Sequence, residues 1–149
     1  MTETVKPSTT QQKQKPLSDE PPVAVAGGQG KTILVVEDNE TNIFPLSDFL
    51  RYHGYQLNIA RNGLEAVQQA AALHPNLILM DIQMPKMDGI TAIQHIRANS
   101  AIAHTPIIAL SASVMPGDRE RSLQAGANEF IGKPFKMKEL LKAIQNLIQ

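Results

Sequence analysis

Apolar residues are arranged in two ways along the chain, and the change comes near residue 30. Before it, the few apolar positions follow no period and lie among Thr, Gln, Lys and Pro, with Pro21-Pro22 and Gly27-Gly28 near the end of the stretch. Such a segment cannot bury enough surface to offset the entropy of ordering, so residues 1–30 read as a disordered tail or linker. From Lys31 onward, short apolar runs alternate with stretches of helical period. The first run, residues 33–36, meets Glu37-Asp38-Asn39. Asn39 can cap a helix that turns Ile43, Leu46 and Leu50 to one side, and Gly54 ends it. Residues 56–60 form the second run. Asn62 with Glu65 reads as a capping box for a helix with Leu64, Val67 and Ala71 on its face, stopped by His74-Pro75. The third run, residues 77–80, is unbroken and ends on Asp81. Met84-Pro85 stops it, and Asp88-Gly89 opens a helix bearing Ile90, Ile93 and Ile96, with Asp88 as its cap.

The second half repeats the scheme. Pro106 precedes a fourth run, residues 107–110, which ends at Ser111. A helix over residues 115–125 has the weakest period, with Leu123 its only large apolar residue in the second half, and Gly126 ends it. Residues 128–131 form a short fifth run before Gly132-Lys133-Pro134. The last helix carries Met137, Leu140, Leu141, Ile144 and Ile148 on one face. Pro45 falls inside the first helix, where it removes a donor and crowds the preceding turn, so that helix is expected either to kink or to start late. Strands that alternate with helices imply a parallel sheet covered on both faces. Right-handed crossovers leave few topologies, and an α/β, flavodoxin-like (βα)5 doubly wound sheet of order 2-1-3-4-5 is expected over residues 31–149.

Composition narrows the chemistry. Lys plus Arg number 14, as do Asp plus Glu, so the formal net charge is +0. Without a basic block there is no electrostatic case for nucleic acid. The absence of cysteine excludes a disulfide framework and thiolate metal sites. No apolar run reaches membrane-spanning length and no signal-peptide core is present, so a cytoplasmic protein without membrane contact is expected. His53, His74, His95 and His104 show no ligand spacing. Gly27-Gly28-Gln29-Gly30-Lys31-Thr32 has the letters of a phosphate loop in the wrong context, since the strand follows it instead of preceding it.

The chemistry lies at the strand ends. In a parallel sheet Glu37-Asp38, Asp81, Ser111 and Lys133 share the carboxyl edge, where such folds bind ligands. Three carboxylates together repel, and burial adds to the cost of ionising them. Lys133 supplies one counter-charge and a divalent cation a second. Oxygen ligands without sulfur or clustered imidazole favour magnesium over zinc, with manganese as an alternative. The set suits an aspartyl nucleophile in phosphoryl transfer, with Asp81 as acceptor.

Four segments carry a family likeness: V-V-E-D-N at 35–39, M-D-I-Q-M-P-K-M-D-G at 80–89, A-L-S-A at 109–112 and G-K-P-F at 132–135. With them, the chain from about residue 32 to 148 resembles the receiver domains of two-component response regulators. The run M-P-G-D-R-E-R at 115–121 is similar to receivers of hybrid histidine kinases and phosphorelays. The resemblance implies that Asp81 takes a phosphoryl group from a phosphohistidine of a histidine kinase or a histidine phosphotransfer protein. Asp38, Asp81 and the Gln83 carbonyl would bind magnesium directly, and Glu37 largely through water. Ser111, the Ala112 N–H and Lys133 would hold the phosphoryl group, and the bond before Pro134 would be cis. Ser111 and Phe130 would form the switch, Phe130 turning inward as Ser111 moves, and the surface of the fourth helix and last strand and helix would change. Such a protein is not an enzyme toward other substrates, but it catalyses its own phosphorylation and dephosphorylation.

Departures from the family pattern are few. Phe130 stands where tyrosine is frequent and Ser111 where threonine is commoner, while Gln83 and Ser113 occupy positions that vary. Two other functions compete. A receiver-like module acting through contacts alone would not need the full acidic set with Ser111 and Lys133. An aspartyl phosphatase would carry an acid two residues after the nucleophile, where Gln83 stands. The chain closes with its fifth helix, which implies output through a downstream protein partner or onward phosphotransfer. Met1 and the tail favour a free-standing regulator over a piece of a larger kinase.

Overall fold

A computed structural model of the chain describes residues 30–84, 86–112 and 116–148. The expected tail up to residue 29, Gly27-Gly28-Gln29, the stop at Pro85, and positions Ser113 and Met115 lie outside the described residues. Strands and helices alternate as β1 (Thr32–Val36), α1 (Glu40–Tyr52), β2 (Gln56–Ala60), α2 (Gly63–Leu73), β3 (Leu77–Asp81), α3 (Gly89–Ala98), β4 (Ile107–Ser111), α4 (Asp118–Ala125), β5 (Glu129–Gly132) and α5 (Met137–Ile148). All neighbouring strands pair parallel, in the order β2-β1-β3-β4-β5. This is the expected flavodoxin-like arrangement. The edge strands β2 and β5 cover the sheet's flanks, and β3 and β4 are buried at every residue.

Strand alternation feeds two cores, one on each face of the sheet. Leu34, Val36, Ile78, Met80, Ile107 and Ala109 pack under α2 and α3, with Leu123 of α4 against the same cluster. Ile33, Val35, Leu77, Leu79, Ile108 and Leu110 pack under α1 and α5, through Leu46, Leu50, Leu140 and Ile144. Each fully buried side chain of this size contributes about 1.5–3 kcal/mol relative to exposure.

The helix starts follow their caps. Asn39 accepts from the Thr41 N–H, Asn62 from the Glu65 N–H, and Asp88 from the Thr91 N–H. Glu65 reaches back to the Arg61 N–H at 2.8 Å, one residue before the cap. Gly54 and His74, both at positive φ, follow the ends of α1 and α2. Helix α1 is continuous from Glu40 through Pro45, so a late start does not occur.

Three local expectations are corrected. Helix α2 buries Gly63, Ala66 and Ala70, whereas Leu64 is 48% exposed and Ala71 is exposed. The cause is close approach: a Cβ on Gly63 would run into the Met87 carbonyl, so the small-residue side of α2 faces inward. Helix α4 begins at Asp118, later than expected, because Gly117 lies at φ +94, outside the helical region, and no side chain caps the start. Strand β5 starts one residue later than expected, at Glu129, with the Asn128 N–H bonded to the Ile107 carbonyl just before it.

Candidate functional site

The carboxyl edge of the sheet holds the expected residues together. Ladder bonds continue just past the strands: Glu37 donates its N–H to the Ala60 carbonyl, Ile82 to Leu110, and Lys133 to Ser111 at 2.7 Å. These bonds fix the first residue after β1, the end of β3 and the exit of β5 as rigid positions. Carboxylate oxygens of Glu37, Asp38 and Asp81 lie within 4.8 Å of one another. Glu37 and Asp81 are buried, and Asp38 is exposed at the rim. Gly89 closes the floor: a Cβ there would strike the Asp81 carbonyl and come within 2.7 Å of Ile82 Cα. The Asp88-Gly89 pair therefore caps α3 and lets its first turn press against the backbone at the end of β3.

Lys133 bridges the buried acids. Its Nζ lies 3.1 Å from Glu37 Oε1 and 3.8 Å from Asp81 Oδ2, so Glu37 takes the closer share. Asp81 also accepts from the Gln83 N–H at 3.1 Å. Burial, and then the Glu37 charge, push the Asp81 carboxyl up to about 6, against the opposing pull of Lys133 and the Gln83 N–H. One ammonium does not neutralise three neighbouring carboxylates. The donor set is all oxygen, partly open to solvent and short of positive charge, which fits a hard divalent cation. Glu37, Asp38 and Asp81 can hold such an ion.

The remaining expected residues surround this group. Ser111 is fully buried at the end of β4, and its register partner is Gly132. The Ala112 N–H donates to the Gln83 side-chain Oε1 at 3.2 Å. The Lys133–Pro134 bond is cis. Phe130 is half-buried, opposite Ala109 in the ladder and packed against the core under α2 and α3, on the face that Ser111 shares with Ala109. Asn42, which the sequence reading did not single out, donates to Glu37 Oε2 at 3.3 Å, as does the Asn39 N–H. Its signal was its place in the first turn of the helix that starts beside Glu37. A cleft of about 480 Å³ opens next to Lys133, lined by Pro45, Leu46, Pro134, Phe135 and Met137. Among the described residues no helix is long and apolar enough to cross a membrane.

Comparison with known proteins agrees with this geometry. The family model of the response regulator receiver domain matches residues 33–145. The chain is 36% identical over 118 residues to the polar-differentiation response regulator DivK of Brucella ovis, covering 79% of this chain and 96% of that protein. It is similar, at 42% identity and a TM-score of 0.75, to the receiver domain of sensor histidine kinase PA1611 from Pseudomonas aeruginosa PAO1, with 80% of this chain and 98% of that one covered. That structure has a magnesium ion coordinated in its active site cleft. The receiver domain of a signal transduction histidine kinase from Syntrophus aciditrophicus is 36% identical, with a TM-score of 0.75 over 80% of this chain and 90% of that one.

Proposed function

Because the chain belongs to the response regulator receiver domain family of two-component signalling, we propose that it is a phosphoacceptor switch in which Asp81 takes a phosphoryl group from a phosphohistidine. The donor is a histidine kinase or a histidine phosphotransfer protein, residues 31–149 are the receiver and residues 1–30 a tail or linker. The observation that carries this reading is the meeting of Glu37, Asp38 and Asp81 within 4.8 Å, with Lys133 reaching both buried acids.

In the reaction an Asp81 oxygen attacks phosphorus. A P–O bond forms while the P–N bond to the donor imidazole breaks, and the imidazole leaves with the bonding pair. Lys133 shifts its charge from Asp81 toward the incoming oxygens, and the Ser111 hydroxyl and the Ala112 N–H donate to them. Glu37, Asp38, Asp81 and the Gln83 carbonyl would hold magnesium, with manganese as a substitute, and a bound ion supplies positive charge against the transferred group. With Ser111 drawn toward the phosphoryl group, Phe130 turns inward, and the surface of α4, β5 and α5 changes as a two-state equilibrium biased by a local charge. The cleft lined by Pro45, Leu46, Phe135 and Met137, which Glu37 and Lys133 also line, gives the donor an apolar foothold. The same residues serve when water attacks the phosphorus: a new P–O bond forms, the P–O bond to Asp81 breaks, the Asp81 carboxylate is regenerated and inorganic phosphate leaves, so the protein catalyses its own phosphorylation and dephosphorylation without turning over another substrate.

The test is labelling by a small phosphodonor such as acetyl phosphate, followed by intact mass. A single phosphoryl group is expected with magnesium and none in chelator. Labelling of Asp81→Asn to the parent's extent would overturn the assignment.

A further inference from the structure

Helix α1 turns Ile43, Leu46, Ser47 and Leu50 inward and leaves two aromatic rings outside, Phe44 at 68% and Tyr52 at 48% exposure. They are the two exposed aromatic side chains among the described residues, in a chain with only 4 Phe and 2 Tyr. A lone exposed apolar residue is ordinary. Here the rings share one side of the helix with Pro45, itself exposed, because positions seven apart align and Phe44 adjoins Pro45. Pro45 also lines the cleft beside Lys133, so the strip runs from the last turn of α1 to the lip of that cleft.

The chain enters the domain at one end of this strip. The Gly30 N–H donates to the Gly54 carbonyl at 2.9 Å, two residues past Tyr52. Residues 1–29 precede it, and residues 21–28, P-P-V-A-V-A-G-G, carry no charge. Pro22 stands eight residues before Gly30, and an extended stretch of that length spans about 25 Å. Tyr52 and Phe44 are also eight residues apart, but along a helix that is about 12 Å. The segment is tethered at the right end and long enough to cross the strip with slack. Adjacent prolines limit the entropy that an extended segment loses on docking, and exposed aromatic rings are the surface such segments pack on. A short tether supplies an effective concentration of about millimolar, at which even a weak contact is well populated.

We propose that residues 21–25 lie across α1 on Tyr52, Pro45 and Phe44, as an intramolecular strap that shields the outer lip of the cleft. The contact itself is independent of the phosphoacceptor reading. Only its consequence, a narrower approach for the donor, rests on that reading.

The chain has no cysteine, so Ser18→Cys places a single nitroxide label in the full-length protein. Broadening of backbone amides is read by NMR in the unphosphorylated, metal-free state, so the outcome does not depend on phosphorylation. A tail that made no contact would spread its label about 19 Å around Gly30, and would broaden Asn76 and Thr105 at the amino edge as much as Phe44 and Asp48. A docked strap should broaden Phe44 and Asp48 at least about threefold more than Asn76 and Thr105. Phe44→Ser with Tyr52→Ser, and separately Pro21→Ser with Pro22→Ser, should each cut that excess about threefold to tenfold, as loss of an aromatic contact implies. The amide shifts of the buried strands serve as the control that each variant is folded. Equal broadening in the two sets, or an excess that survives both pairs of substitutions, overturns the strap. An excess that appears in isotope-labelled chains mixed with spin-labelled, isotope-free chains assigns the strip to a second copy's segment, and overturns the intramolecular strap as well.

Discussion

Replacing Asp81 by Asn should make the metal-free protein more stable at neutral pH, although it removes the carboxylate that we propose as phosphoacceptor. The Asp81 carboxyl is buried, faces Glu37, and is raised from its ordinary 3.8 to about 6. A carboxyl that holds its proton more tightly when folded favours the folded state in acid and works against it once ionised. Its stabilising effect is fully present below the unfolded value and is lost as pH rises through about 6. The full gap between the two values corresponds to about 3 kcal/mol. Asp81 is not sealed from water, since Asp38 at the rim is exposed and the Lys133 side chain keeps 20% of its surface. Solvent screening brings the expected gain down to about 1–2 kcal/mol.

Asparagine preserves the shape and can still accept the Gln83 N–H with its Oδ1. Lys133 keeps its closer partner, Glu37, at 3.1 Å. The substitution therefore removes a charge without emptying a cavity or orphaning a cation. Urea unfolding followed by circular dichroism in EDTA should show the variant ahead at about pH 7.5, the gap narrowing through about pH 6 and closing near about pH 4. Saturating magnesium should then restore the parent more than the variant, because only the parent keeps the full donor set. A variant equal to or weaker than the parent at about pH 7.5 without metal, or one whose advantage grows in acid, would refute the picture of an under-neutralised acidic hollow.

Other substitutions probe the supports of the site. Lys133→Met removes the cation shared by Glu37 and Asp81, and should cost about 2 kcal/mol in urea at neutral pH, with partial recovery as Asp81 takes up a proton in acid. Gly89→Ala drives a methyl group into the Asp81 carbonyl; it should lose about 1–3 kcal/mol and weaken magnesium binding in calorimetry by moving the acceptor backbone. Arg97→Met should lose about 3–5 kcal/mol in the same unfolding assay. The Arg97 guanidinium serves the carbonyls of Gly126, Ala103 and Thr105 and Asn128 Oδ1 at 2.7–3.0 Å, and all four would be left without it.

The strand ends were legible because each is marked in the local letters. Four-residue apolar runs stop abruptly on Glu37, Asp81 and Ser111, and the alternation with helices forces those ends onto one edge. Caps were legible for the same reason: Asn39, Asn62 and Asp88 bond within three residues of themselves. What sequence could not give depends on contacts far along the chain. The inner side of α2 is set by the Met87 carbonyl against Gly63, across 24 residues, and that contact outweighs the larger Leu64. Arg97 looks like a solvated charge at the end of an amphipathic helix, yet its acceptors come from two separate loops. The side-chain bond of Gln83 to Ala112 spans 29 residues, which is why nothing in the local letters announced it.

These long-range contacts divide the molecule into two unlike ends. At the amino edge of the sheet, the half-buried Arg97 finds four acceptors, and Asn128 Oδ1 also accepts from the Ile107 N–H at the start of β4. A Cβ on Gly126 would come within 2.6 Å of the Arg97 stem, so the backbone closes tightly around it. At the carboxyl edge the balance is reversed: three carboxylates cluster where Lys133 reaches Glu37 and Asp81, and burial beside Glu37 makes Asp81 hold its proton more tightly. One end gives its cation four oxygen acceptors, while the other leaves charge uncompensated. The molecule is sensitive where a cation or a phosphoryl group can change the balance. Helix α4 joins the two, since its carboxyl end abuts Gly126 and Arg97, while its start, after Gly117, has no side-chain cap. A charge placed on Asp81 should therefore displace the first turn of α4 more than its last.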